Sequence, residues 1–123
     1  MRSNRDVEAA HSVSAPLGTI TIASDVIAHI AGHAAHESYG VVGMSARGRV
    51  GRLLSRDRAG QGVVVGRGEA GVTVELYVVV EYGLNLAEVA SGLRNRVTYD
   101  VERLTGLPVS SVEVHIQDVR RSA

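Results

Sequence analysis

A chain of 123 residues with 45% hydrophobic content is long enough to fold as one domain around a modest core. Lys+Arg and Asp+Glu both number 13, so no global field draws the chain to nucleic acid or an anionic membrane. Zero cysteine excludes disulfides, thiolate metal sites and cysteine catalysis, and with neither Trp nor Phe the core must be aliphatic.

Residues 1–17 carry Arg2, Arg5, Asp6 and Glu8 and hold no continuous apolar run. They read as a flexible N-terminal tail rather than as an export signal. No later stretch approaches the roughly 20 apolar residues that span a bilayer. The expectation is therefore a cytoplasmic protein without direct membrane insertion, reaching a membrane only through a partner. A single α+β domain is predicted over 18–119, with 120–123 as a short C-terminal tail.

Thr19 to Ile22 alternates as a short strand, with Ile20 and Ile22 on one side. Ser24 is suited to cap a helix by accepting from the free first-turn amides, and Asp25 suits the positive end of the helix dipole. Val26, Ile27, Ile30, Ala31 and Ala34 then recur at helical spacing as far as Glu37, and Gly40 stops the helix. Val41 to Ala46 is a second strand. The stretch from Arg47 to Gly62 is rich in Gly and Arg and reads as a long exposed loop or loose hairpin. Val63 to Val65 is a strand and Gly66 to Gly71 a turn. From Val72 to Glu81 the chain alternates with a period of two, which is the clearest strand signal in the sequence.

Asn85 and Glu88 form a pair like a capping box at the start of a second helix. Leu86, Val89, Ala90, Leu93, Val97, Val101 and Leu104 share its apolar face. Gly106 stands where a left-handed cap is wanted, and Pro108 blocks continuation. Val112, Val114 and Ile116 alternate with Glu113, His115 and Gln117 in a last strand. Each strand has one apolar face and each helix one apolar stripe. These elements predict a two-layer α+β sandwich, a mixed sheet with both helices on one face, in the order β-α-β-β-β-α-β. The opposite sheet face would carry Glu75, Tyr77, Val79, Glu81 and His115, a mixed polarity that suits either a partner surface or plain solvent.

Chemical motifs are sparse. Gly66-Arg67-Gly68-Glu69-Ala70-Gly71 matches GxGxxG, but the strand that follows supplies no helix N-terminus for a pyrophosphate, so it reads as a hairpin turn. His29, His33 and His36 lie one turn apart and are the candidates for Zn²⁺, Ni²⁺ or Cu²⁺ binding, or for a pH response, although no fourth ligand is evident. Arg47, Arg49, Arg52, Arg56 and Arg58 form a basic cluster that could hold phosphate or nucleic acid, yet lack interleaved aromatics to stack bases. No GxSxG elbow and no closely paired carboxylates are visible, so no catalytic residue, cofactor or metal is assigned.

Gly18-Thr-Ile-Thr-Ile, Val26-Ile-Ala-His-Ile-Ala and Tyr39-Gly-Val-Val-Gly-Met are followed by Val72-Thr-Val-Glu-Leu-Tyr-Val-Val-Val-Glu-Tyr-Gly and Leu104-Thr-Gly-Leu-Pro-Val-Ser-Ser-Val-Glu-Val-His-Ile. In these pieces the chain resembles the alkaline shock protein family, the Gls-type envelope stress response proteins once classed as a domain of unknown function. The resemblance implies a non-catalytic bacterial protein of envelope and alkaline stress. It implies partners as well: further copies of the chain in self-association, and a small membrane-anchor protein that holds it at the inner face of the cell membrane. Two features depart from that pattern: every basic residue here is arginine, and the histidine stripe is additional. Tyr77 and Val79, with Arg47, Arg49 and Arg52, are the candidate interaction residues. Phosphate or nucleic-acid binding through Arg47–Arg58, and a metal- or pH-responsive role for His29, His33 and His36, stand as the alternatives.

Overall fold

A computed structural model describes residues 10–15, 17–45 and 61–121. The element order is β1 (Ala10–Ala15), β2 (Gly18–Ala23), α1 (Ser24–His36), β3 (Val41–Met44), β4 (Val63–Gly68), β5 (Gly71–Glu81), α2 (Leu86–Thr105) and β6 (Val109–Arg120). The α+β class and the mixed sheet under two helices are as the sequence predicts. The difference lies at the N-terminus, where Ala10–Ala15 is a strand within the stretch expected to be a tail. It pairs antiparallel with β2 as a separate two-stranded sheet, from Ala10 opposite Ala23 to Ala15 opposite Gly18.

β5 organises the main sheet. Its alternating valines place Val72, Val74, Leu76, Val78 and Val80 in the core beneath the helices. β6 runs parallel to it along the whole length from Val72 to Glu81. β4 pairs antiparallel with residues Gly71 to Leu76, and β3 with Val78 to Val80. Because β6 occupies one edge of β5 throughout, β3 and β4 share the other edge in tandem. The handover is at Tyr77, whose amide donates to the Gly62 carbonyl while its own carbonyl accepts from Ser45, both at 2.8 Å.

The helices cover this apolar face. α1 buries Ile27, Ala31, Ala34 and Ala35, and α2 buries Val89, Leu93, Val97 and Val101. The small alanines allow α1 to pack closely against its neighbours. Arg96 ties the two helices together by donating to Asp100 (3.0 Å) and to Glu37 beyond the end of α1 (3.2 Å). Asn85 caps α2 as expected, its Oδ1 accepting from the Glu88 amide at 3.0 Å. Gly106 closes the helix in the left-handed region with φ 77°.

Two sequence expectations are corrected at the helices. Val26, Leu86 and Leu104, placed on apolar stripes, are exposed, because each lies at the margin of its helix's buried arc or in a terminal turn. Ala23 rather than Ser24 occupies the N-cap position of α1, and no side chain caps it. The Ser24 hydroxyl is turned instead to His11. The predicted Arg47–Arg58 loop lies outside the described residues. Among the described residues no helix is long and apolar enough to cross a membrane.

Candidate functional site

The sheet face away from the helices is built by β5 and β6 together. Parallel registration sets Glu75 opposite Glu113 and Tyr77 opposite His115. With a side-chain period of two, these four point the same way and lie side by side. The Tyr77 and His115 rings stack, with centroids 4.5 Å apart and planes 9° from parallel. The Tyr77 hydroxyl donates to Glu75 Oε1 at 3.1 Å. His115 Nε2 lies 3.4 Å from Glu75 Oε1 and 3.9 Å from Glu113 Oε2. That nitrogen is buried and makes no hydrogen bond. The donor atoms of Glu75, Glu113 and His115 all fall within 4.8 Å of one another.

Tyr77 and Val79 lie on this face, as the alternation predicts, but they are not its exposed surface. They are 7% and 4% exposed, so neither side chain is open to a partner in this conformation. Burial of the Tyr77 ring against His115 accounts for part of this. Arg47, Arg49 and Arg52, the other candidate interaction residues, fall outside the described residues.

His29, His33 and His36 are exposed on α1. His33 is drawn to Glu37, with its Nε2 3.5 Å from Oε2, in an i,i+4 pair. Among the described residues, the histidine brought together with two acids is therefore His115, not one of this stripe. The GxGxxG motif belongs to a hairpin, as read from the sequence, but the turn is narrower than expected: Gly66 to Gly68 still pair within β4, Gly71 begins β5, and only Glu69 and Ala70 form the turn.

That turn forms one wall of an open cleft of ≈ 380 Å³ whose other walls are His11 and Ser12 of β1 and Leu107 and Pro108. Arg67 crosses it to donate to the Ala10 carbonyl. His11, only 3% exposed, shares a 2.9 Å hydrogen bond with Ser24 Oγ. Burial, helped by the Arg67 charge, holds its imidazole below the ordinary histidine range, so it is neutral near pH 7. Nothing in the sequence marks His11, since it stands in a stretch with no clear periodicity. The Glu75–Glu113–His115 group was half legible. Its residues alternate onto one face, but the register that sets β5 beside β6 is a long-range property.

Comparison with known proteins adds a family. Residues 12–121 match the model of the alkaline shock protein 23 family, the alkaline shock protein family, described as having a cell envelope-related function. The chain is 35% identical over 107 residues to the uncharacterized protein YloU of Bacillus subtilis, covering 84% of this chain and 89% of that one. It is 34% identical to the uncharacterized protein Spy1614 of Streptococcus pyogenes, over 84% and 88% of the two chains. A second Bacillus subtilis relative, the uncharacterized protein YqhY, is 31% identical over 85% of this chain and 78% of its own. No solved structure gives a significant match.

Proposed function

The chain belongs to the alkaline shock protein family, whose function is cell envelope-related, and on that premise we propose that it is a non-catalytic envelope stress response protein acting by contact. It is a scaffold that associates with further copies of itself and is recruited to the membrane by a protein partner.

The observation that carries this reading is β6. It is a strand of 12 residues, and among the described residues it is paired along one edge only. An edge that long presents a row of backbone donors and acceptors to another strand. Strand addition satisfies them without any pocket or chemistry. Tyr77 and Val79, being buried, give the reading no support, so the self-association we propose runs through the β6 edge.

Light scattering during size exclusion over a range of concentrations tests it. The expected result is a species larger than the monomer for the native chain. Ser111→Lys with Gln117→Lys, both at exposed β6 positions, is expected to shift it to monomer by setting like charges against each other across the pairing. A monomer at every concentration overturns the self-association. For recruitment, the chain is expected to sediment with native membranes and to lose that retention once the membranes are treated with protease. Equal retention on protein-free lipid vesicles overturns the partner.

A further inference from the structure

We propose that Glu75, Glu113 and His115 bind a divalent transition-metal cation of the zinc class. The three groups converge from adjacent parallel strands, Glu75 on β5 and the other two on β6. Two carboxylates and an imidazole nitrogen with donor atoms within 4.8 Å of one another form a set that one divalent cation can bridge. A direct hydrogen bond does not hold the three together. A charge-assisted N–H···O bond spans about 2.7–2.9 Å, whereas Nε2 stands 3.4 and 3.9 Å from the two carboxylates and has no hydrogen-bond partner although it is buried.

These separations suit a metal. Zinc sits about 2.0–2.2 Å from nitrogen and oxygen ligands, which places neighbouring ligand atoms of a tetrahedron about 3.3–3.5 Å apart. The Glu75 contact already has that spacing, and Glu113, on an exposed side chain, closes the rest by a small rotation. The set is supported from behind. Tyr77 stacks on the His115 ring and fixes its plane, and its hydroxyl donates to the Glu75 oxygen facing Nε2. Outer contacts of this kind orient ligands before a metal arrives. The imidazole favours Zn²⁺, Ni²⁺ and Cu²⁺ over Mg²⁺ and Ca²⁺, which prefer all-oxygen sites. Three protein ligands leave a fourth position open to water or to a group from a partner.

The experiment is titration of the untagged, chelator-treated protein with ZnCl₂, read by calorimetry and by the ¹⁵N shifts of the histidine side chains. One equivalent of Zn²⁺ is expected to bind and to move Nε2 of His115, while Mg²⁺ does not. Glu113→Gln and His115→Ala are each expected to weaken binding at least about tenfold. Tyr77→Phe, which keeps the stack and loses the hydrogen bond, is expected to weaken it about tenfold. A variant with His29, His33 and His36 all changed to Gln is expected to bind as the native chain does. Circular dichroism checks that the variants fold, and Glu113, with its exposed side chain, carries the least risk. An unmoved His115 signal overturns the proposal, as does binding that survives Glu113→Gln and His115→Ala but vanishes in the α1 variant.

Discussion

The Tyr77 ring lies on the His115 ring with centroids 4.5 Å apart and planes 9° from parallel, joining the central strand to its parallel neighbour on the face away from the helices. The stack sits where the backbone pairing of β5 changes hands, since the Tyr77 amide and carbonyl serve Gly62 and Ser45. One residue thus holds three strands, two through its backbone and one through its ring. Tyr77→Leu is expected to lower stability by about 1–3 kcal/mol, the value of an aromatic pair together with a lost hydroxyl contact. Tyr77→Phe should lose only about 0.5–1.5 kcal/mol. Urea denaturation of the three proteins measures the difference, and equal midpoints for Leu and Phe would show that the stack contributes nothing.

The same junction depends on Gly62. Its φ is +81°, and a Cβ there would stand 2.7 Å from the Ser45 carbonyl oxygen and 2.9 Å from that of Tyr77. Those are backbone atoms held in the ladder, so they cannot swing aside. Gly62→Ala is expected to destabilise by about 2 kcal/mol or more, combining the left-handed penalty with the clash. Gly43 is a fair comparison, because a Cβ there meets nothing within 4 Å. Thermal unfolding of both alanine variants separates the cases: Gly62→Ala should fall well below Gly43→Ala in Tm.

Local signals made most of the fold legible. The alternation of Val72 to Glu81, the Asn85 cap and the Gly106 stop each depend on a few neighbouring residues, and each is found as expected. The failures are tertiary. Ser24 and Asn85 look alike as caps, but only Asn85 caps, because Ser24 meets His11 from a strand 13 residues earlier in the chain. Tyr77 and Val79 read as exposed because alternation gives the face and not what packs on it. The three-residue cluster at His115 required the β5–β6 register, which α2 determines by bringing β6 back alongside β5. No periodicity within either strand encodes that.

His11 predicts a pH dependence. Its folded pKa lies below the ordinary value because of burial, with the Arg67 charge adding to the effect. As pH falls through about 6.5, the unfolded chain takes up this proton first. The stability His11 gives is therefore complete above that pH, declines as pH drops towards the folded pKa, and is gone below it. The slope attributable to this residue is at most about 1.4 kcal/mol per pH unit, the limit for one proton. Denaturant midpoints of the native chain and His11→Gln at pH 7.5 and pH 5.5 should show the smaller pH effect in the variant. Parallel pH profiles would mean that His11 is as readily protonated folded as unfolded.

The bond from His11 to Ser24 also joins the β1–β2 hairpin to the start of α1. A two-stranded hairpin is marginal by itself, so this contact should carry part of its attachment. Ser24→Ala and His11→Gln are in contact and are expected to be non-additive, with a coupling of about 1 kcal/mol at pH 7.5 in a double-mutant cycle. Asn85→Ala, at the start of the other helix, should cost about 1 kcal/mol through its lost cap and add independently to either. A cycle showing Ser24 and Asn85 behaving alike, each a simple cap with no link to His11, would place the Ser24 hydroxyl back on the helix amides.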